Sequence, residues 1–275
     1  MCKRFFIVLF SISMLVANQV EHDYNSAVPT FTKVPHPGRM NIEISLSNSS
    51  YSNQFIGTQN ISLDNSYSIS KVEVNGAYHG TNGIGLSGSQ IMENESINNG
   101  SRITTTAAIY MVWNEIYPDS SPSMLDGHQF TFPSTRILTG LSVFRMKDFN
   151  NNYCNAASAN IAMDLIISNT LILTNNIDLD LQDNNDFIWS TVSSKLIYDI
   201  TEKITVAPSI SYRQDNSGYH ETNIMIEAGY QYKDLNYGYL HTDAKISPFV
   251  KFNIFGQDVI YADTEFGANF YFFFN

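Results

Sequence analysis

Residues Tyr239–Asn253 read YLHTDAKISPFVKFN. Leu240, Thr242, Ala244, Ile246, Pro248, Val250 and Phe252 occupy one set of alternate positions. Tyr239, His241, Asp243, Lys245, Ser247, Phe249, Lys251 and Asn253 occupy the other. A period of two places these sets on opposite faces of an extended strand. Strands in soluble domains usually run about five or six residues, whereas a tilted strand needs about 9 to 11 to cross hydrocarbon. The second face carries His241, Asp243, Lys245 and Lys251, which a dry core rejects and a water-filled interior accepts.

The same alternation recurs on both sides of this stretch. Ile224, Ile226, Ala228, Tyr230 and Tyr232 form an apolar row, and Ile204, Val206, Pro208, Ile210 and Tyr212 form another. Further rows run through Ile188, Val192, Leu196 and Tyr198, through Leu171 to Leu181, and through Ile161 to Ile167. The chain closes on TEFGANFYFFFN, Thr264–Asn275, with Phe266, Phe270, Phe272 and Phe274 on one face. Short polar turns near 168, 184, 201, 216, 235 and 256 make adjacent antiparallel pairing the natural topology. A meander of this kind has two open edges, and in lipid each unsatisfied backbone group costs several kcal/mol, so the sheet must close on itself.

Composition narrows the class. The 275 residues carry 26 acidic against 15 basic side chains and a formal charge of −11, which argues against binding nucleic-acid phosphates. Sixteen tyrosines and eighteen phenylalanines suit lipid-facing rings and interfacial belts. Lys3 and Arg4 followed by the apolar run Phe5–Ala17 read as a signal peptide over 1–17, which would carry Cys2 away and leave Cys154 without a disulfide partner. After that run, no apolar segment is long enough for a membrane-spanning helix.

A signal peptide, no retained disulfide, serial amphipathic strands and a terminal strand with aromatics at alternate positions resemble Gram-negative outer-membrane β-barrel proteins. The resemblance implies an all-β fold, an antiparallel up-and-down transmembrane β-barrel of about 10–12 strands, located in the cell outer membrane. It also implies outer-membrane lipid and the barrel-assembly machinery as partners, with Phe270, Phe272 and Phe274 as the assembly signal; here Asn275 follows the last Phe. The expected organisation is a signal peptide over 1–17, an extended lead-in over 18–39 and one barrel domain over 40–275. Counting back from the C-terminus gives strands near 259–274, 238–254, 220–232, 203–213, 187–199, 170–182, 156–167, 135–146 and 102–113. Weaker segments at 67–79, 55–63 and 40–47 bring the total to twelve. The Gly-, Ser- and Asn-rich region Asn75–Gly100 reads as loop with at most a short strand. The count puts the long connector 114–134 on the periplasmic side, where turns are normally short, which points to a misassigned early strand.

The expected lumen-lining groups are Glu227, His241, Asp243, Lys245 and Lys251, and the expected lipid-facing groups are Ile246, Val250, Phe252, Phe266, Phe270 and Phe272. The six histidines show no HExxH and no metal-ligand spacing, and no GxSxG motif is present, so no enzyme, metal or cofactor is expected. Three functions fit this pattern: a small porin-like channel for polar or ionic solutes, a non-conducting structural or surface-interaction barrel acting through loops such as 75–100 and 147–155, and a secreted β-rich adhesin or pore-forming toxin. Oligomeric state is left open.

Overall fold

Alternation with a period of two produces strand after strand in the computed structural model, which describes residues 38–97, 100–113, 134–168, 170–182, 187–201, 203–216, 218–237, 240–257 and 260–274. The segment expected as a signal peptide, most of the expected lead-in and residues 114–133 lie outside the described residues. Twelve strands follow in chain order: β1 (Arg39–Ile56), β2 (Gln59–His79), β3 (Ile84–Glu95), β4 (Ser101–Trp113), β5 (Ser134–Lys147), β6 (Tyr153–Ser168), β7 (Leu171–Gln182), β8 (Phe187–Thr201), β9 (Ile204–Asp215), β10 (His220–Tyr237), β11 (Leu240–Gln257) and β12 (Thr264–Phe274). Each pairs antiparallel with its sequence neighbour, and β1 pairs with β12 to close the barrel. The expected up-and-down barrel is what forms, at the upper end of the expected strand number.

Closure explains the aromatic C-terminus. In the β1–β12 ladder Met40 faces Phe274, Ile42 faces Phe272, Ile44 faces Phe270 and Asn48 faces Phe266. On the other side of β12, Phe270 faces Ile246 and Phe266 faces Val250. The four rings therefore lie in a continuous apolar surface on the barrel exterior, while the backbone of β12 is hydrogen-bonded on both edges. Without closure, the unpaired groups of these two strands would meet hydrocarbon.

The distribution of polarity is inverted relative to a soluble protein. Leu141 and Val143 are each 62% exposed and Phe266 is 58% exposed, while Asp164 is fully buried and Glu227 is 4% exposed. Water does not tolerate such an exterior over a whole sheet, but hydrocarbon does. Tyr78, Tyr198, Tyr230, Tyr232 and Trp113 are exposed toward the end of the barrel that holds Arg39 and Phe274, here called the terminal end. Tyr153 and Tyr212 are exposed toward the opposite, loop end. Amphipathic rings at both levels suit the two headgroup regions.

Two expectations require correction. Among the described residues, Asn75–Gly100 is not mainly loop: it contains the end of β2 and all of β3. The segment 55–63 is not a strand but the tip of the β1–β2 hairpin, where Gly57 adopts φ 59° between two longer strands. The β4–β5 pairing, with Trp113 opposite Ile137, puts the residues that flank 114–133, Trp113 and Ser134, at the terminal end without displacing any strand. The tension over that connector therefore does not reflect a wrong strand count.

At the loop end the β1–β2 hairpin is fastened to the segment between β11 and β12. Phe55 stacks on Tyr261 with ring centroids 4.7 Å apart. The Asp263 carboxylate accepts hydrogen bonds from the Ser52 backbone N–H at 2.6 Å, from the Asn53 amide at 2.7 Å and from the Ser52 hydroxyl.

Large lumen side chains are accommodated over glycines. A Cβ on Gly85 would stand 2.0 Å from the Tyr110 ring, and one on Gly267 would stand 2.8 Å from the Phe249 ring. Tyr110 thus lies across Gly85, donates its hydroxyl to the Tyr78 carbonyl at 3.1 Å and stacks on His79. A Gly85→Val substitution is expected to displace Tyr110 and to cost about 1 to 3 kcal/mol through overpacking. A lowered urea midpoint of the detergent-solubilised barrel would report it, whereas an unchanged midpoint would show that the ring can move freely.

Candidate functional site

The candidate site is the lumen wall, and the strand period builds it. Inward positions on β1 are Asn41, Glu43, Ser45, Ser47 and Ser49, all buried, while Met40 and Leu46 of the alternate set are exposed outward. Ser47 meets Lys71 on β2 and Gly267 on β12, so residues remote in sequence share one level of the interior.

Three polar groups occupy this wall. Toward the loop end, Glu265 accepts the Ser47 hydroxyl at 2.8 Å and lies 3.5 Å from the Lys251 ammonium and 3.8 Å from that of Lys71. Lys71 also reaches Glu73 at 3.6 Å. Beside this network Arg102 on β4 forms a two-pronged pair with Glu93 on β3, its second bond 2.8 Å long, and both side chains are buried. The paired geometry satisfies both charges away from bulk water.

The second group is centred on Glu227 of β10. Lys195 of β8 donates to one carboxylate oxygen at 2.5 Å, and the Tyr271 hydroxyl of β12 reaches the other at 3.5 Å. Each partner reaches across one intervening strand. The Lys245 stem lies against Gly229, where a Cβ would stand 2.2 Å from its Cε. Only the glycine hydrogen leaves that space for the lysine along the wall.

The third group lies on β6 and β7. The Asn160 amide donates to Asn176 and to Asp178, each at 2.6 Å. Asp180, one inward position further along β7, is opposite Ser158 and buried. Among the described side chains, carboxylates exceed cations in the buried lumen: Glu43, Glu73, Glu93, Asp164, Asp180, Asp215, Glu227 and Glu265 stand against Arg102, with Arg213 and the lysines only partly buried.

Toward the terminal end the wall from β4 to β9 carries two buried apolar clusters, with the buried Asp164 and Thr174 between them. Tyr110, Val112, Leu138 and Ala162 form one buried cluster with Ala108, and Ile172, Ile197 and Ala207 form another. The alternating rows leave this patch out, because they count only the outward set. Its signal is the continuous apolar runs Leu165–Ile167, Leu171–Leu173 and Leu196–Tyr198, in which both faces are apolar.

The structure places Glu227, Lys245 and Lys251 on the interior wall. Ile246, Val250, Phe252, Phe266, Phe270 and Phe272 lie on the outward row of β11 and β12. His241 and Asp243 sit on β11 opposite Asn236 and Phe273, but their side chains are outside the described residues. Glu93, Arg102, Glu265, Lys195 and Tyr271 join the wall networks without having been singled out in the sequence, because partners across a barrel are set by register and curvature.

No family model and no curated protein sequence matches the chain. Solved structures do. The COG4313 outer membrane channel from Pseudomonas putida F1 superposes with a TM-score of 0.63 at 10% identity, covering 90% of this chain and 99% of that one. The KdgM porin, in a complex with disordered oligogalacturonate, superposes with a TM-score of 0.51 at 11% identity, covering 84% of this chain and 98% of that one. The fold is that of these closed antiparallel β-barrels, and the outer-membrane location expected from the sequence accords with it.

Proposed function

We propose that the barrel is a narrow channel for small polar or ionic solutes, with a preference for cations. The observation that carries this reading is the interior wall, which is polar over its loop-end and middle levels and rich in buried carboxylates. Barrels of about eight strands are filled by their own side chains and those of 16 to 18 enclose a wide aqueous channel, so twelve strands leave room for a restricted path. Phe249 and Tyr110, bulky enough to obstruct that path, lie over glycines of the neighbouring strand. A polyanion such as the oligogalacturonate held by the KdgM porin would meet the carboxylate excess unfavourably, which favours cationic or neutral solutes here.

The terminal-end patch around Leu138 and Ile172 supports a second reading, a barrel closed by an apolar constriction, since such a zone can exclude water. Purified protein in planar bilayers separates the two. The channel gives stepwise conductance with reversal potentials displaced toward the cation; a folded barrel that never conducts overturns it. In the conducting case, Glu43→Gln is expected to lower the cation-to-anion permeability ratio about fivefold. One carboxylate about 8 Å from the ion path stabilises a cation by about 0.5 kcal/mol in a water-like dielectric and destabilises an anion as much, a difference of about 1 kcal/mol. The alternating aromatics of β12 further fit recognition by the assembly machinery, for which removal of Phe270, Phe272 and Phe274 would slow insertion.

A further inference from the structure

The outward face of β4–β6 breaks from the apolar pattern near the loop end. Ala107, Val143, Ala157 and Leu181 lie in one hydrogen-bonded row across β4, β5, β6 and β7. The two alanines leave a depression between larger neighbours such as Ile109 and Leu141, and a groove of about 820 Å³ lies over this row. The next row toward the loop end is polar, with Arg145 between Thr105 and Asn155. The row beyond it holds Lys147 between Ile103 and Tyr153.

We propose that this groove binds a phosphate-bearing membrane lipid, with an acyl chain laid over Ala107 and Ala157 and the phosphate held by Arg145 and Lys147. Charge is the first argument. In a chain of net charge −11, two cations stand on the outward face, and among the described residues neither has a carboxylate within ion-pair distance. The Arg145 guanidinium lies 4.6 Å from the centroid of the Tyr153 ring, which holds it at the groove mouth. A guanidinium stacked in this way keeps in-plane donors for a phosphate.

Depth is the second argument. The eight residue steps from Ile137 to Arg145 on β5 cover about 26 Å along the strand at a rise of about 3.3 Å. With a tilt of about 40° that becomes about 20 Å along the barrel axis, comparable to an apolar band of about 25 Å. Ile137 is paired with the interfacial Trp113 at the terminal end. Arg145 therefore reaches the opposite headgroup level, while Ala107 and Ala157 lie just inside the hydrocarbon. The groove joins the two environments that one lipid molecule requires, and it does so whether or not the lumen conducts.

The test is native mass spectrometry of the full barrel released from detergent after titration with dioleoyl phosphatidylglycerol. Dioleoylglycerol, which lacks the phosphate, and inorganic phosphate, which lacks the chains, serve as comparison probes. The expected result is one retained phosphatidylglycerol, at least tenfold more tightly held than dioleoylglycerol, with no retained inorganic phosphate. The Arg145→Gln/Lys147→Gln variant and the groove-filling Ala107→Leu/Ala157→Leu variant should each weaken retention at least tenfold while keeping heat-modifiable gel mobility. Wild-type retention by both variants overturns the proposal, and so does loss in the charge variant alone, because the acyl groove would then play no part. Equal retention of dioleoylglycerol and phosphatidylglycerol by the unaltered protein overturns it without recourse to any variant.

Discussion

Val250→Arg is expected to abolish most assembly into the heat-modifiable barrel, while Lys251→Val, one residue away, leaves a majority folded. Val250 faces outward between Ile226 and Phe266 of the adjoining strands. An arginine there would lie among apolar side chains and lipid, at a cost of about 2 to 4 kcal/mol near the bilayer midplane. Lys251 faces inward, 3.5 Å from Glu265. Its loss leaves Glu265 with the Ser47 hydroxyl and Lys71, so the carboxylate is not abandoned. A partly wet pair of this type is worth about 1 kcal/mol or less. Gel mobility with and without heating, after refolding into detergent, measures both variants. If Lys251→Val proved the more damaging, β11 would be in a register one residue away from that seen here.

Glu93→Ala should produce the largest loss of stability among lumen substitutions, about 3 to 5 kcal/mol. Glu93 and Arg102 are each 6% exposed and joined by two parallel bonds. Truncating Glu93 strips a two-pronged carboxylate from a buried guanidinium, the costly way to break such a pair. The Phe149 ring, 5.2 Å from the Arg102 guanidinium, offsets little of that charge. The double variant Glu93→Leu/Arg102→Leu removes both ions and should recover most of the loss, since well-packed apolar replacements of a buried pair are often close to neutral. Urea unfolding of the three variants in detergent measures the difference. Equal destabilisation by the single and double variants would mean that water already solvates the pair and that its burial carries no penalty.

How legible the barrel was in the chain differed along its length. In β11 and β12 each outward position is a carbon-rich side chain and the inward set includes charges, so strand, face and length are all visible in the pattern. In β2 and β3 the same physics is hidden by composition. Gly76 and Gly88 occupy outward positions, and Gly85 lies inward beneath Tyr110. Glycine and serine look like loop by local propensity, yet the ladder on either side holds them in strand, a tertiary override of a weak preference. The outward apolar set of β3, with Ile84, Leu86 and Met92 exposed, is still present but diluted by Gly88, Gln90 and Asn94.

By itself the sequence determined that the chain forms a closed antiparallel barrel with a lipid-compatible exterior. Hydrophobic alternation is a local property of each strand, short turns dictate who pairs with whom, and lipid forbids open edges. Only the tertiary structure decided which groups meet. Lys195 reaches Glu227 across β9, Tyr271 reaches the same carboxylate across β11, and Arg145 comes to rest at the mouth of a groove floored by two alanines. Those relations depend on strand stagger and curvature, which set the level of each residue around the whole barrel. No local pattern carries that information, because shifting one ladder by two residues preserves every face while changing every partner.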